Sequence, residues 1–255
     1  MTLQEKNILK MLLWLNLFFF CCGLPVLALA LNVGDVQSQL LALIPPTSTP
    51  RIPSTPTRPL PTATIESNWK LYPVASDGYA MALPNSWVYQ ELSAATIDQT
   101  IAELKKKNSQ LADIMQKQGK QLLASGIKFY AIDGAPGSSV GGAVTNCNII
   151  RQVQPQVYSL DYVLTANLQD LENTTAVSKP ITHKRAQLGV GEAEQVQYVI
   201  TMTGANNQVV KFSTIQYLLV HGKDTFIITF GTPPTLESKN ISVFQKIIQT
   251  FRYVP

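Results

Sequence analysis

The sequence predicts an α+β fold in which a single antiparallel β-sheet is sandwiched by helices. Apolar residues recur at every second position in several short segments, which is typical of strands with one buried face. They recur at three- and four-residue steps in three longer segments, which is typical of amphipathic helices. Short connections rich in Gly and Asn join several strand segments and favour antiparallel neighbours, whereas no βαβ unit with a Gly-rich phosphate loop is visible.

Composition divides the chain of 255 residues into three parts, residues 1–44, 45–65 and 66–255. The first part is largely apolar, the second is rich in Pro and Thr, and only the third has the composition of an ordinary folded domain. All elements of the predicted fold therefore lie within residues 66–255.

The N-terminal part is predicted to be a membrane-targeting helix. An apolar run from Met11 to Leu31 follows Lys6 and Lys10, and at about 1.5 Å per residue it is long enough to cross a bilayer. Positive residues before the run predict a cytoplasmic N-terminus and an extracytoplasmic domain. Three fates are open: a retained signal anchor, which the length of the run favours, a signal peptide cleaved after Ala30 with secretion of the domain, and lipidation at Cys22.

Residues 45–65 are predicted to form a disordered tether. The stretch PPTSTPRIPSTPTRPLPTAT holds Pro, Thr or Ser at 15 of 20 positions, so it offers no apolar face to pack. Proline favours the extended polyproline geometry, which predicts a semi-rigid spacer of up to about 60 Å. A proline-rich ligand for a recognition domain is the alternative.

The first half of the domain is predicted to contain a strand pair, a helix and a hairpin. In GYAMALPNSW the apolar residues alternate, and a Pro-Asn turn leads to a returning strand at Trp87. Ile97 to Ala124 carries apolar residues at helical spacing. KFYAID (Lys128 to Asp133) and AVTNCNII (Ala143 to Ile150) flank a Gly-rich turn and are predicted to pair.

The second half is predicted to contain a helix, a meander and a closing helix. The helix spans Tyr158 to Leu171, and the closing helix spans Ser238 to Tyr253. The segments between them, AEQVQYVITM, VVKFSTIQYLLV and DTFIITF, are predicted to be strands joined by turns at residues 204–207 and 221–223. These three segments are predicted to form an antiparallel meander.

Charge and cysteine content exclude several classes of protein. Residues 66–255 carry 16 Lys/Arg and 14 Asp/Glu, a net charge of +2, which argues against a dedicated nucleic-acid binder. The only dense basic run, Lys105 to Lys107, lies in a helical pattern and is interpreted as a solvated face. Cys147 is the only cysteine of residues 66–255, so no disulfide can form within that part.

Several segments together resemble the PsbP-like superfamily. They are GYAMALPNSW, TNCNIIRQVQP leading into YSLDYVLTANLQDL, GEAEQVQYVI, and FIITFGTP followed by the closing helix and Phe251-Arg252-Tyr253. That superfamily includes the PsbP photosystem subunits, the Mog-type Ran-binding proteins and bacterial envelope proteins of the DcrB and LpqN kind. The resemblance implies an α/β/α sandwich and a non-catalytic binding or assembly role, and the leader and tether are more similar to those of the envelope members.

Catalytic alternatives rest on few residues. Cys147 could act as a nucleophile with His183 or His221, but a lone cysteine on a strand is usually a buried apolar residue. Glu192 and Glu194 share a strand face and could serve acid/base chemistry, although an edge strand needs such charges for solubility. The loop GAPGSSVGG lacks the Lys-Ser/Thr of a phosphate-binding loop and is predicted to be a flexible hairpin loop.

The sequence therefore predicts no catalytic, cofactor-binding or metal-binding residues. The Cys and His residues have no zinc-ligand spacing, and no calcium loop occurs. We expect a non-enzymatic, monomeric binding domain, tethered to the membrane by its N-terminal helix, with a possible envelope protein as partner and no nucleic acid. The alternatives are an extracytoplasmic enzyme using Cys147 with a histidine, and a passive structural envelope protein.

Overall fold

The computed structural model describes residues 64–93, 127–141, 143–203 and 209–254, together with Asp98, Ile101, Ala102, Lys105 and Gln116. The predicted leader, nearly all of the predicted tether and the turn at residues 204–207 lie outside the described residues. Of the predicted helix from Ile97 to Ala124, only those five residues are described, and all five are helical. Within the described part, no helix combines the length and apolar character needed to span a bilayer.

Besides the five helical residues between 98 and 116, the described residues are mostly strand, with two α-helices and two short 3-10 helices of defined bounds. The α-helices are α1 (Leu160–Glu172) and α2 (Glu237–Gln249), and the 3-10 helices are Ala75–Asp77 and Pro234–Leu236. The strands are β1 (Trp69–Val74), β2 (Tyr79–Pro84), β3 (Trp87–Glu91), β4 (Ile127–Asp133), β5 (Ser139–Val140), β6 (Ala143–Val144), β7 (Asn146–Val153), β8 (Val177–Leu188), β9 (Gly191–Thr203), β10 (Val209–His221), β11 (Asp224–Thr232) and β12 (Arg252–Tyr253).

A seven-stranded antiparallel sheet organises the described part of the chain. Its order is β3-β4-β7-β11-β10-β9-β8. The predicted meander is confirmed, because β9, β10 and β11 are consecutive neighbours in this order. The predicted hairpin of KFYAID and AVTNCNII is confirmed as β4 paired with β7, and the Gly-rich loop between them holds the small β5–β6 hairpin.

The prediction of one sheet is wrong, because the described strands form three. Strands β1, β2 and β12 make a second sheet, and β5 and β6 a third. The predicted pair formed by β2 and the strand at Trp87 is also wrong. Both edges of β2 are occupied, by β1 on one side and β12 on the other, so β3 pairs with β4 instead.

The two helices occur where periodicity predicted them, with different ends. Helix α1 begins after Ser159, whose Oγ accepts a hydrogen bond from Tyr162 N at 3.2 Å, which is a typical N-cap. Helix α2 ends at Gln249 rather than at Tyr253. Its last predicted residues form β12, which pairs with β2 through Arg252↔Ala80 and Tyr253↔Tyr79.

The large sheet separates two apolar cores, because successive residues of a strand point to opposite faces. Leu171 of α1 packs on one face with Val196 and Leu218. Phe244 of α2 packs on the other face with Phe230. That second face is also covered by the three-stranded sheet, which contributes Tyr79, Met81 and Leu83, so helices alone do not form its outer layer.

Candidate binding cleft

Helix α2 presents two stripes of side chains. Phe244, Ile247 and Ile248 are buried against the sheet. A second stripe consists of exposed polar residues at three- and four-residue steps, which places them along one side of the helix: Ser242, Gln245, Lys246 and Gln249. This polar stripe forms one wall of a cleft.

The floor of the cleft is a row of three residues on adjacent strands. Lys184 of β8 lies directly opposite Gln195 of β9, and Gln195 lies opposite Tyr217 of β10. Residues that face each other across a ladder share one face of the sheet and lie about 5 Å apart. Tyr217 and Gln195 are buried whereas Lys184 is exposed, so the row leads from the interior to the edge of the sheet.

Hydrogen bonding fixes the inner end of this row. The Tyr217 hydroxyl donates to Gln195 Oε1 at 3.2 Å. Burial raises the pKa of Tyr217 to about 12, so the phenol keeps its proton at neutral pH and remains a donor. The Gln195 amide is thereby oriented by a neighbour that does not titrate near neutrality.

The segment that leads into β1 forms the other wall. Thr64, Glu66 and Trp69 line the cleft, and Trp69 is half-buried against the α2-side core. Lys246 Nζ lies 2.8 Å from Glu66 Oε1, an ion pair that links the two walls at the surface. The cleft is open to solvent and has a volume of about 620 Å³. Ligand sites commonly have volumes of roughly 300 to 1,000 Å³ and combine an aromatic surface with a few polar groups, as here.

A cluster of charges lies next to the cleft on the other face of the sheet. Arg185 Nε lies 2.9 Å from Glu194 Oε1, and Arg185 also contacts Asp161 of α1 and, at 3.9 Å, Glu192. Glu194 has a side chain only 4% exposed, and His183 Nδ1 lies 3.7 Å from its Oε2. Glu192 and Glu194 therefore share a face as predicted, but both contact Arg185. The arrangement neutralises a buried carboxylate and attaches α1 to the sheet edge.

The structure does not bring Cys147 together with either histidine. Cys147 is fully buried on β7 between Ala131 and Phe230, and burial raises the pKa of its thiol well above the ordinary value. His183 is on the exposed edge strand, four strands away, which is about 19 Å at the usual spacing. His221 ends β10 and stacks on Tyr253, with ring centroids 4.0 Å apart.

The described residues include no group of three or more Cys, His, Asp and Glu side chains arranged to hold a metal ion. Sequence reasoning did not find the cleft, because its residues come from five parts of the chain: the start of β1 with the segment before it, β8, β9, β10 and α2. The only local signal was the polar stripe of α2 beside its apolar stripe.

No protein-family model matches the chain, and no curated protein matches its sequence. Solved structures with a similar fold include the solution structure of cyanobacterial PsbP (CyanoP) from Synechocystis sp. PCC 6803, with a TM-score of 0.44, 12% identity, and coverage of 74% of this chain and 94% of that one. LpqN, involved in cell envelope biogenesis of Mycobacterium tuberculosis, has a TM-score of 0.43 and 11% identity over 74% of this chain and 93% of that one. The Ran-binding protein Mog1p of Saccharomyces cerevisiae has a TM-score of 0.40 and 8% identity over 73% of this chain and 96% of that one.

The proteins in these structures, a PsbP, LpqN and Mog1p, are of the same kinds as those named in the sequence resemblance. With TM-scores of 0.44 or less, these similarities assign no ligand, partner or activity to this chain.

Proposed function

We propose that this chain is an exported, membrane-tethered protein whose domain is a non-enzymatic binding or assembly module for a protein of the cell envelope. The observation that supports this proposal is the cleft of about 620 Å³ between α2, the edge of the large sheet and the segment before β1. It combines a half-buried aromatic ring, a polar helix stripe and a fixed amide, which are features of a recognition surface.

The placement of the reactive groups also favours binding over catalysis. Cys147 is buried with a raised thiol pKa and lies far from His183, whereas a catalytic thiol needs a lowered pKa and an adjacent base. The carboxylates of Glu192 and Glu194 contact Arg185 rather than the cleft. Neither arrangement offers the nucleophile and base that an enzyme would need.

Export and tethering are inferred from the sequence. The apolar run behind Lys6 and Lys10 and the Pro/Thr-rich segment would hold the domain outside the cytoplasm, at a distance from the bilayer. Protease added to cells with a permeable outer layer is therefore expected to remove residues 66–255. Full protection of the domain, under conditions that digest a known extracytoplasmic protein, would contradict export.

Site-specific photocrosslinking in cells tests the binding role. A photoreactive amino acid is placed at Gln245, which lines the cleft, and in a matched variant at Lys239, which is exposed on the same helix but does not line it. We expect a discrete crosslinked protein band from position 245 and a much weaker band from position 239. Equal bands, or no band at 245 with a correctly folded and localised protein, would refute the cleft as a partner site.

A further inference from the structure

The edge strand next to the cleft is exposed along most of its length. β8 is the last strand in the order of the large sheet, and within the described residues it pairs on one side only, with β9. Most of its side chains are exposed. An exposed edge strand carries unpaired backbone donors and acceptors and is a template for the addition of another strand.

The two halves of β8 differ in how well they could accept such a strand. The register with β9 is broken between Ser178 and Thr182, and Pro180 in that break has no backbone N–H to donate. From Thr182 to Leu188 the pairing is regular, with seven consecutive residue pairs. Within this second half, the Gln187 carbonyl already accepts a hydrogen bond from Gln249 Nε2 of α2 at 3.1 Å. Residues 182–186 are therefore the part of β8 that combines regular pairing with a backbone edge facing no hydrogen-bond partner that the described residues supply.

The regular half of β8 is also the half that lines the cleft. Lys184, Ala186 and Leu188 are at alternate positions and all border the cleft. A strand added beside them would place its own alternate side chains on the same face of the sheet. Those side chains would point toward the mouth of the cleft and toward the polar stripe of α2.

Charge indicates the chemistry of the added strand. β8 contains Lys179, His183, Lys184 and Arg185 and no Asp or Glu. The guanidinium of Arg185 contacts three carboxylates of this chain, and Lys246 is paired with Glu66. Among the described residues, Lys184 has no ion-pair partner, so an acidic side chain in the cleft would find an available cation there.

We propose that the cleft receives an extended acidic segment of the partner protein, which adds as a strand beside residues 182–186 and places a carboxylate at Lys184. This inference rests on the proposed binding function. It deepens that function by defining the partner segment as an extended strand with acidic residues on the side that faces the cleft.

Fluorescence anisotropy with labelled peptides tests the inference on the full chain in detergent micelles. The probe is a peptide of about nine residues in which Glu alternates with Val, and it is compared with the same peptide carrying Lys in place of Glu. A third peptide keeps the Glu side chains but is N-methylated at alternate backbone nitrogens. We expect the acidic peptide to bind about tenfold or more tightly than the other two, and its affinity to fall as salt is raised.

Matched variants of the protein test whether the peptide binds at β8. Lys184→Glu is expected to weaken binding of the acidic peptide by about fivefold or more, whereas Lys239→Glu, an equal charge change away from the cleft, is expected to leave it nearly unchanged. Equal binding of the N-methylated peptide would refute strand addition. The inference would also be overturned if the acidic peptide did not bind, or if both variants weakened its binding equally. It would be overturned as well if free glutamate, at the same concentration as the peptide, displaced the peptide.

The outcomes separate the two proposals. If position 245 crosslinks a partner but the peptides fail these comparisons, the binding role stands and the acidic strand does not. If position 245 fails to crosslink while the peptides behave as expected, the edge binds acidic strands but the proposed cellular partner is refuted.

Discussion

At the scale of single residues, buried polar side chains fix the position of α2 on the large sheet. Asn240 Nδ2 donates to Thr232 Oγ1 at 2.7 Å and to Thr145 Oγ1 at 3.1 Å, and these two hydroxyls lie 2.9 Å apart. All three residues are buried, so each bond replaces one that water would otherwise make. Because α2 forms one wall of the cleft, this network also determines where that wall stands.

Thr250 performs a similar role where α2 meets the three-stranded sheet. Its Oγ1 accepts a hydrogen bond from Ala82 N at 2.9 Å and donates to Ile247 O at 2.7 Å. β12 begins to pair with β2 at Arg252, two residues after Thr250. The Thr250 hydroxyl thus accepts the β2 hydrogen bond that a backbone carbonyl would accept if β12 began earlier. One side chain therefore ends the helix and extends the sheet.

Replacement of Thr250 is predicted to show this double role. Thr250→Val keeps the shape but leaves the buried Ala82 N–H without its acceptor, so the free energy of unfolding should fall by about 1 to 3 kcal/mol. Thr250→Ser keeps the oxygen and loses one methyl group, which should cost about 0.8 kcal/mol. Urea unfolding followed by circular dichroism gives both values. A Val variant at least as stable as the Ser variant would show that the hydrogen bond contributes less than the methyl group.

Cys147 is predicted to be unreactive and dispensable for binding. The thiol is fully buried and its pKa is raised by burial, so at pH 8 the thiolate population should be very small. In a Cys21→Ser/Cys22→Ser background, labelling by a thiol reagent should be slow until denaturant is added. Cys147→Ala should keep the crosslink at position 245 while losing about 1 kcal/mol of stability through the small cavity. Fast labelling of the folded protein would revive the enzymatic alternative.

At the scale of elements, the sequence predicts buried strands that are bounded by clear turns and fails for strands with few buried residues. Strands β10 and β11 are buried over most of their length, and predictable turns join them to each other and to β9, so the meander was predicted with the correct neighbours. β8 was not predicted, because an exposed edge strand with several charges and Pro180 has no apolar alternation to detect. β1 was not predicted either, and Pro73 lies within it, which is compatible only with an edge position.

Local periodicity does not determine which sheet a strand joins, and it does not determine which residues form the cleft. The alternation in GYAMALPNSW correctly indicates two strands, but their assignment to different sheets depends on β12, which is about 170 residues away. The cleft is a similar case, because the sequence around each lining residue carries no signal of a binding site. Strand register and the docking of α2 bring these residues together: Trp69, Lys184, Gln195 and Tyr217. The burial of Cys147, by contrast, was predictable from its position in an apolar strand.

The closing helix is predicted to be essential for folding. Phe244, Ile247, Ile248 and Phe251 are each at most 2% exposed. Burial of each is worth about 1.5 to 3 kcal/mol, so their joint loss would match or exceed much of the roughly 5 to 15 kcal/mol that stabilises a typical domain. A chain that stops before Ser238 should therefore aggregate, as judged by size-exclusion chromatography. A folded, monomeric product would mean that α2 is a peripheral element.

At the scale of the whole molecule, the two faces of the large sheet differ in character. The α2 face is rich in aromatic residues beside its Asn240 network, whereas the α1 face has fewer aromatic residues and a buried polar row of its own. In that row Asn167 Nδ2 of α1 donates to Gln216 Oε1 at 2.8 Å, and Gln216 Nε2 lies 3.4 Å from Thr229 Oγ1. Polar bonds that cross from helix to sheet fix one docking position for α1, while apolar area supplies most of the stability.

Residues 66–255 are predicted to fold without the leader and the tether. Every strand and α-helix described lies beyond Glu66, and β1, the first of them, begins at Trp69. Two contacts hold the start of this part in place: Trp69 N donates to Glu66 O at 3.0 Å, and the Glu66 side chain pairs with Lys246. Both are retained in a chain that begins at Glu66, which should be a soluble monomer with a single cooperative thermal transition.

This boundary is checked by comparing the midpoint of thermal unfolding of the chain that begins at Glu66 with that of the full chain. Thr64 lines the cleft but, being exposed, contributes little apolar burial, so the two midpoints should agree within about 5 °C. Glu66→Gln in the shortened chain serves as a control. An exposed ion pair such as Glu66–Lys246 is worth at most about 1 kcal/mol, so its loss should move the midpoint only slightly. A midpoint well below that of the full chain would show that residues 45–65 pack on the domain, and the predicted boundary would then be wrong.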